Sequence, residues 1–304
     1  MIFVDDTTTI LSSAMRLSVP LMFAACGEYV AERAGTLNIS VEAMMLGGAF
    51  GGAATASMTG NPATGLLGGA AVGLAIGIVH ANFSHRLAAN TFVVGLTLNA
   101  LVLGLTSYLI NTFSLKSALM GELAIPGLSR VPVVGQPLFD QPWPCYVLYG
   151  LIPLTWYLVQ RTRWGLEVRA VGEHPQAADV TGVQVNRRRR EALMLCGLLS
   201  GAGGAYLVVA EVGIFNSNMT AGRGFIVIAA VIFGGWTLRG TILGCLLFGA
   251  ADALRLALPA LGYQFNPELL ISAPYLLALL AMLFFAKRHR QPGALARPFE
   301  RGLT

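Results

Sequence analysis

Seven side chains with hydrogen-bonding or acid–base capacity lie within or at the ends of apolar stretches: Glu28, Asn38, Glu42, Asn90, Asn99, Glu211 and Asp252. Polar groups at such positions are costly and face a cavity or one another. Two kinds of chemistry suit them. Amides and carboxylates can hydrogen-bond a hydroxylated solute, and carboxylates can carry protons or sodium ions. Asn38, Glu42 and Asn99 are the candidates for lining a pathway. Glu28, Glu42 and Asp252 are the candidates for ion carriers. Architecture offers a competing account. Glu28 and Glu32 stand four apart and can pair with Arg33 or Arg16, while Asp252 and Arg255 have the spacing of an in-helix ion pair.

Bond-making chemistry has no foothold in the sequence. A phosphate-binding loop needs GxxxxGK[ST], and the only lysines, Lys116 and Lys287, lack that context. HExxH and GxSxG are absent, so no catalytic residue is assigned. Cys26, Cys145, Cys196 and Cys245 form no CxxC pair, and three of them sit in apolar stretches. They read as small hydrophobes, with no metal, disulfide or cofactor expected.

The elements that hold these side chains are membrane helices. Of 304 residues, 55% are hydrophobic and 12% charged, and the mean hydropathy is +0.66. A soluble domain has about a quarter of its residues charged and could not hide so much apolar surface. The reading is an all-α integral membrane protein of eight to ten transmembrane helices, one transmembrane domain over 1–304. Expected spans are 10–27, 38–58, 64–83, 91–111, 143–160, 191–210, 224–238, 240–258 and 269–286. Arg16 and Pro20 interrupt the first. Gly35-Thr-Leu-Asn-Ile-Ser-Val-Glu-Ala-Met-Met-Leu-Gly-Gly48 and Gly222-Arg-Gly-Phe-Ile-Val-Ile-Ala-Ala-Val-Ile-Phe-Gly-Gly235 resemble each other. Paired, Gly-bounded segments point to short half-helices near 38–48 and 224–236 and to an internal repeat.

The net charge of +5 is concentrated in arginines that flank the spans, which favours orientation by the positive-inside rule over nucleic-acid binding. The loop 161–190, with Arg161, Arg163, Arg169 and Arg187 to Arg190, is expected in the cytoplasm. So is the 287–304 tail, which opens Lys287, Arg288, His289, Arg290. Four expected spans separate them, as two cytoplasmic ends require. The loop 112–142 then lies outside, and Arg33, His85 and Arg86 lie inside. Trp143, Trp156 and Trp164 read as interface anchors.

The loop 161–190 also hides a short helix. Pro175 suits the first helical position, Gln176, Ala177, Ala178, Asp179 and Val180 follow, and Gly182 can end the helix in a left-handed conformation. Two turns with small residues exposed are marginal alone in water and call for a partner surface.

Three stretches carry a family resemblance: Pro20 to Met45 with Glu32-Arg-Ala-Gly-Thr-Leu-Asn-Ile39 and Val41-Glu-Ala-Met44, Ala170-Val-Gly-Glu-His-Pro-Gln-Ala-Ala-Asp-Val-Thr-Gly182, and Gly222 to Gly235. Over about residues 20–286 the chain resembles the membrane subunits of bacterial ABC importers of the ribose and nucleoside type, the nucleoside branch more than the ribose branch. His174 stands where Asn is frequent. The resemblance implies a translocation subunit in the cytoplasmic (inner) membrane that hydrolyses no ATP itself. It implies partners: an ATP-binding cassette subunit, a second permease in a hetero- or homodimer, and a periplasmic or lipid-anchored substrate-binding protein. It also implies that Glu173, His174, Pro175, Gln176, Ala177, Ala178, Asp179 and Gly182 form the coupling helix for the ATPase. Nucleosides are the first expected solute and ribose-like sugars the second. The competing function is a secondary transporter driven by an ion gradient.

Overall fold

The computed structural model describes residues 2–112, 117–129, 135–260 and 291–299, with a few isolated positions between them. Helices dominate: α1 (Ile2–Arg33), α2 (Val41–Thr59), α3 (Pro62–His85), α4 (Thr91–Ile110), α5 (Gly135–Phe139), α6 (Trp143–Arg161), α7 (Arg163–Glu173), α8 (Pro175–Val180), α9 (Val185–Tyr206), α10 (Arg223–Phe233) and α11 (Leu238–Ala260). A π-helical turn, Leu207–Val212, continues α9. Two three-residue strands, β1 (Glu122–Ala124) and β2 (Asp140–Pro142), pair antiparallel beside α5. Eight of the nine expected spans coincide with helices, and the ninth, 269–286, lies outside the described residues, as do Lys287 to Arg290. Five described helices are long and apolar enough to cross a membrane, and α2 and α6 have 19 residues each.

The two expected half-helices fare differently. α10 has 11 residues, about 16 Å of helix against a hydrocarbon core of about 30 Å. The segment 38–48 is not a half-helix. Residues 37–40 are irregular, and α2 runs unbroken from Val41 to Thr59. Gly47 and Gly48 do not end it because they are contact points: a Cβ on Gly48 would lie 2.3 Å from the carbonyl oxygen of Gly201.

Packing explains the order of the helices. α1 is buried on nearly all sides from Val19 to Glu32 and continues through Pro20 without a break. α3 presents Gly69, Gly73 and Gly77 at four-residue spacing to Gly197 and Gly201 of α9. A Cβ on Gly73 would meet the Gly197 carbonyl oxygen at 2.3 Å, and one on Gly201 the Gly69 carbonyl oxygen at 2.4 Å. α2 joins through Gly48 and Gly52. Lipid tails are as apolar as Leu, so helices in a membrane associate through close backbone approach at small residues. Leu67 of α3 and Leu101 of α4 point outward instead, 72% and 60% exposed.

The two ends of the bundle differ in chemistry. One gathers the arginine-rich segments. Arg189 bonds the Ala34 carbonyl, Thr36 meets His85, and the Ala294 amide donates to Gly172. At the other end Arg16 pairs with Glu122, and the Ser117 and Met120 amides donate to the carbonyls of Gly213 and Val209. The shared end of Arg33, His85 and the 161–190 loop is the arrangement the arginine pattern predicts.

Gly201→Val places a branched side chain against the α3 backbone. It is expected to destabilise the fold by about 3 kcal/mol, read as a lower melting temperature in detergent. Gly104→Ala, at a position with nothing within 4 Å of a new Cβ, should leave melting unchanged.

Candidate translocation core and coupling surface

Residues 37–39 run without helical hydrogen bonds at the junction of α1 and α2, which is tolerable in a membrane only if other groups satisfy the backbone. Asn99 of α4 does part of this. Its Nδ2 donates to the Ile39 carbonyl at 3.0 Å, and its Oδ1 accepts from the Ala43 amide at 2.9 Å. Glu28 of α1 does more, accepting from the Asn38 amide at 3.3 Å and from Asn38 Nδ2 at 3.1 Å. The Cys196 thiol of α9 donates to the same carboxyl group at 3.2 Å. Asn38 Oδ1 accepts from the Ser40 hydroxyl at 2.7 Å. Ser40 Oγ lies 2.6 Å from His80 Nδ1, and His80 Nε2 lies 3.0 Å from Thr91 Oγ1. A continuous hydrogen-bonded chain therefore crosses the bundle from α1 through α9 and α3 to α4.

Glu42 ends in a different partner set. Its carboxylate accepts from the Thr220 hydroxyl at 2.6 Å, the Gly222 amide at 2.8 Å and the Gly224 amide at 2.7 Å. Those amides belong to the start of α10. Gly222, at φ +84°, brings its N–H round to the carboxylate. An anionic group at a helix N-terminus is favourable because the free N–H groups and the helix dipole converge there. Gly224 lies so close that a Cβ on it would sit 2.4 Å from the Glu42 amide nitrogen. The starts of α2 and α10, the two Gly-bounded segments that resemble each other, thus abut, with the Glu42 carboxylate against the α10 N-terminus.

Asn38 (0% exposed), Glu42 (8%) and the amide of Asn99 are therefore all held by partners within the chain. The sequence could not show this for Glu42 and Asn99, whose partners lie 56 to 182 positions away, although Glu28 stands only ten from Asn38. The expected pairing of Glu28 and Glu32 with Arg16 or Arg33 does not occur. Arg16 reaches Glu122, Arg33 approaches Glu173 at 3.9 Å, and Glu32 accepts from the Trp236 indole. Asp252 does pair with Arg255 at 2.8 Å, and also with Arg223 at 3.2 Å, which ties α10 to α11.

The arginine-rich end carries the second candidate surface. α8 begins at Pro175 with His174 before it, and the chain turns back at Gly182 with φ +90°. No neighbour crowds Gly182, so the backbone angle alone explains glycine there. Pro175 and Ala178 face inward, and Ala178 packs with Val171 and Val185 in a small apolar cluster that Phe299 joins. Ala178 is 5% exposed, which corrects the expectation that the small residues of this helix all face out. The outward face carries His174, Gln176, Ala177 and Val180, and Val180 is 88% exposed. Glu173 and Asp179 are half-buried at its sides.

A longer helix, α7, precedes α8 and is absent from the sequence reading, which saw one helix in the loop. Thr162 caps it through the Gly165 amide at 3.0 Å. Arg188 pairs with Glu167 and Glu191, and the Trp164 indole donates to Glu191 at 2.8 Å, binding α7 to α9. Trp164 is thus fixed inside the loop, whereas Trp143 and Trp156 are 38% and 40% exposed. Residues 291–299 were also missed. The Ala294 amide donates to Gly172 and the Ala296 amide to Gly35, each near 3 Å, and Arg189 Nη1 donates to the Arg297 carbonyl at 2.7 Å. This segment straps the base of α8 to the end of α1.

The sequence from residue 10 to 286 matches the family described as the permease component of the branched-chain amino acid transport system. The chain belongs to this permease family. The permease is 35% identical to a putative glucose ABC transporter permease of Haloferax volcanii over 85% of this chain and 80% of that one. It is 33% identical to a nucleoside ABC transporter permease of Lactococcus lactis over 96% of both chains. It is 30% identical to a guanosine ABC transporter permease of Bacillus subtilis over 98% of both. The permease is accordingly a multi-pass membrane protein of the ABC transporter class, and these three relatives carry the names of transport proteins.

Glu42→Gln keeps the shape of the side chain but replaces one acceptor oxygen with a donor aimed at an N–H. A loss of about 2 kcal/mol is expected, seen as a lowered melting temperature of the purified permease. Asp at this position, one methylene shorter, should not restore it.

Proposed function

We propose that this permease is the translocation subunit of an ATP-driven importer for nucleosides or related simple sugars. In this reading a separate ATP-binding cassette subunit docks on residues 173–182. The observation that carries it is the construction of α8: a six-residue helix, too short to be stable alone, held on a buried base and offering an apolar Val180 to the outside. A side chain that exposed on a rigidly seated helix fits a groove on a partner. The nucleoside and sugar names among its relatives support the choice of solute class. The same resemblance supports a second permease subunit and a substrate-binding protein on the far side.

Within this reading, Asn38, Glu42 and Asn99 frame the pathway by fixing the starts of α2 and α10. Their partners within the chain support framing over direct contact with solute. The same point weighs against transport driven by an ion gradient. Glu28, Glu42 and Asp252, the carriers such a mechanism would use, are each bound to partners on other helices.

Uptake of radiolabelled nucleoside into proteoliposomes holding the permease, its second subunit and its ATPase tests the reading. Uptake is expected to require ATP inside the system and to survive an uncoupler at constant ATP. Collapse with the uncoupler would replace the proposal with ion-driven transport.

Val180→Asp is expected to weaken ATPase co-purification roughly thirtyfold, the effect of losing about 2 kcal/mol at an interface anchor, without changing the melting temperature of the permease. Ala177→Glu should act the same way. Ala178→Glu should instead lower the melting temperature, because it drives a charge into the cluster of Val171 and Val185.

A further inference from the structure

A cavity of about 140 Å³ lies at the arginine-rich end, between the start of the 35–40 segment, the end of α3, the start of α4 and the strap. It far exceeds the roughly 10–15 Å³ that admits one water. Its polar lining includes Thr36, Ser84, His85, Asn90, Thr91, Arg189 and Arg297, and no Asp or Glu lines it.

Arg189 is the unusual group. The residue is 1% exposed. Its Nε donates to the Ala34 carbonyl at 3.2 Å and its Nη1 to the Arg297 carbonyl at 2.7 Å. Its Nη2 has no hydrogen-bond partner among the described residues, and neither has Ser84 Oγ. No carboxylate pairs with Arg189 among the described residues, although Arg187 and Arg188 beside it are both paired. A buried cation without a counter-charge is costly and is normally matched by an anionic partner. Arg189 therefore lacks the opposite charge that its burial calls for, and a cavity free of acidic side chains adjoins it.

The surroundings indicate what kind of anion. Residues 88–91 line the cavity, and just beyond them Leu87, Phe92 and Val93 are 65%, 49% and 58% exposed. A polar, cationic recess bordered by outward apolar side chains is the arrangement that receives a lipid headgroup while its acyl chains lie along the helix. We propose that this cavity binds a phosphate oxyanion, with the guanidinium of Arg189, the hydroxyl of Ser84 and the side chain of Arg297 as its donors. The apolar border favours the headgroup phosphate of an anionic lipid over free phosphate as the source. The site holds whichever solute the permease carries and whichever side of the membrane this end faces.

The test uses Ser84→Ala and Arg297→Gln. Ser84 Oγ bonds nothing among the described residues, and Arg297 meets Arg189 through its carbonyl, so both variants should fold. Arg189→Lys serves as a third variant, with melting temperature checked first because Arg189 also holds two backbone carbonyls. In the first arm the full-length permease is taken from nanodiscs containing phosphatidylglycerol and phosphatidylcholine, and retained lipid is weighed by native mass spectrometry. Preferential retention of phosphatidylglycerol, reduced about tenfold in the double variant by loss of a charge-assisted hydrogen bond, supports the proposal with lipid as the source. In the second arm inorganic phosphate is added to permease in neutral detergent. A rise in melting temperature that the double variant lacks supports it with free phosphate as the source. Absence of both effects in the unmodified permease, or equal effects in the double variant, overturns the proposal.

Discussion

The contact between the Glu42 carboxylate and the first amides of α10 is the interaction on which the interior depends. α10 crosses only about half of the hydrocarbon, so its N-terminus opens within the protein, where free N–H groups have no water to satisfy them. Glu42 supplies the acceptor from the first turn of α2. The arrangement fixes two helix starts at once, since Gly224 lies against the backbone of residue 42. From α2 the constraint spreads outward. The irregular segment before it is secured by Asn99 on one side and by the Glu28–Asn38 pair on the other. Serial hydrogen bonds through Ser40 and His80 then reach Thr91 at the head of α4.

Glycine contacts set how far this network can yield. Where α3 and α9 meet, backbones touch with no side chain between them, and packed interfaces of this density shift between discrete arrangements more readily than they deform. A motion at the arginine-rich end would therefore pass along whole helices. That end is built to receive one. α7 is tied to α9 by Glu167, Glu191 and Arg188, and residue 172 lies against the last turn of α1. The strap adds Ala294 and Ala296 to the same junction. Under the proposed function, a push on α8 is delivered to the ends of α1 and α9, and both of those helices donate to or carry the Glu28 cluster.

Long apolar runs made the spans legible in the sequence, and Pro175 with Gly182 made α8 legible, because each signal is local. The 11-residue α10 was legible for the same reason, being bounded by glycines. The extent of α2 was not, since Gly47 and Gly48 look like a stop and only the α9 backbone lying against Gly48 shows them to be contacts. Polar partners were the least legible. Asp252 and Arg255, three apart, could be paired on sight. Nothing near Glu42 in the sequence points to Thr220, and nothing near Arg189 points to Arg297. The inward turn of Ala178 and its neighbour's outward turn differ by one position on a helix too short to show a period.

The use of these polar residues bears on how a solute would pass. Burying a carboxylate or amide is tolerable only with partners, and the interior groups near the α2 and α10 starts spend theirs on the protein. A pathway beside them would then be walled mainly by small and apolar side chains. Such walls hold a hydroxylated solute weakly, and weak holding suits a permease fed by a separate binding protein. Affinity in the delivery protein concentrates the solute, whereas affinity in the pathway would slow its release. A carrier that captures solute unaided has the opposite need. The engagement of Asn38, Glu42 and Asn99 by partners within the chain thus connects the chemistry of the core to the division of labour proposed for the assembly.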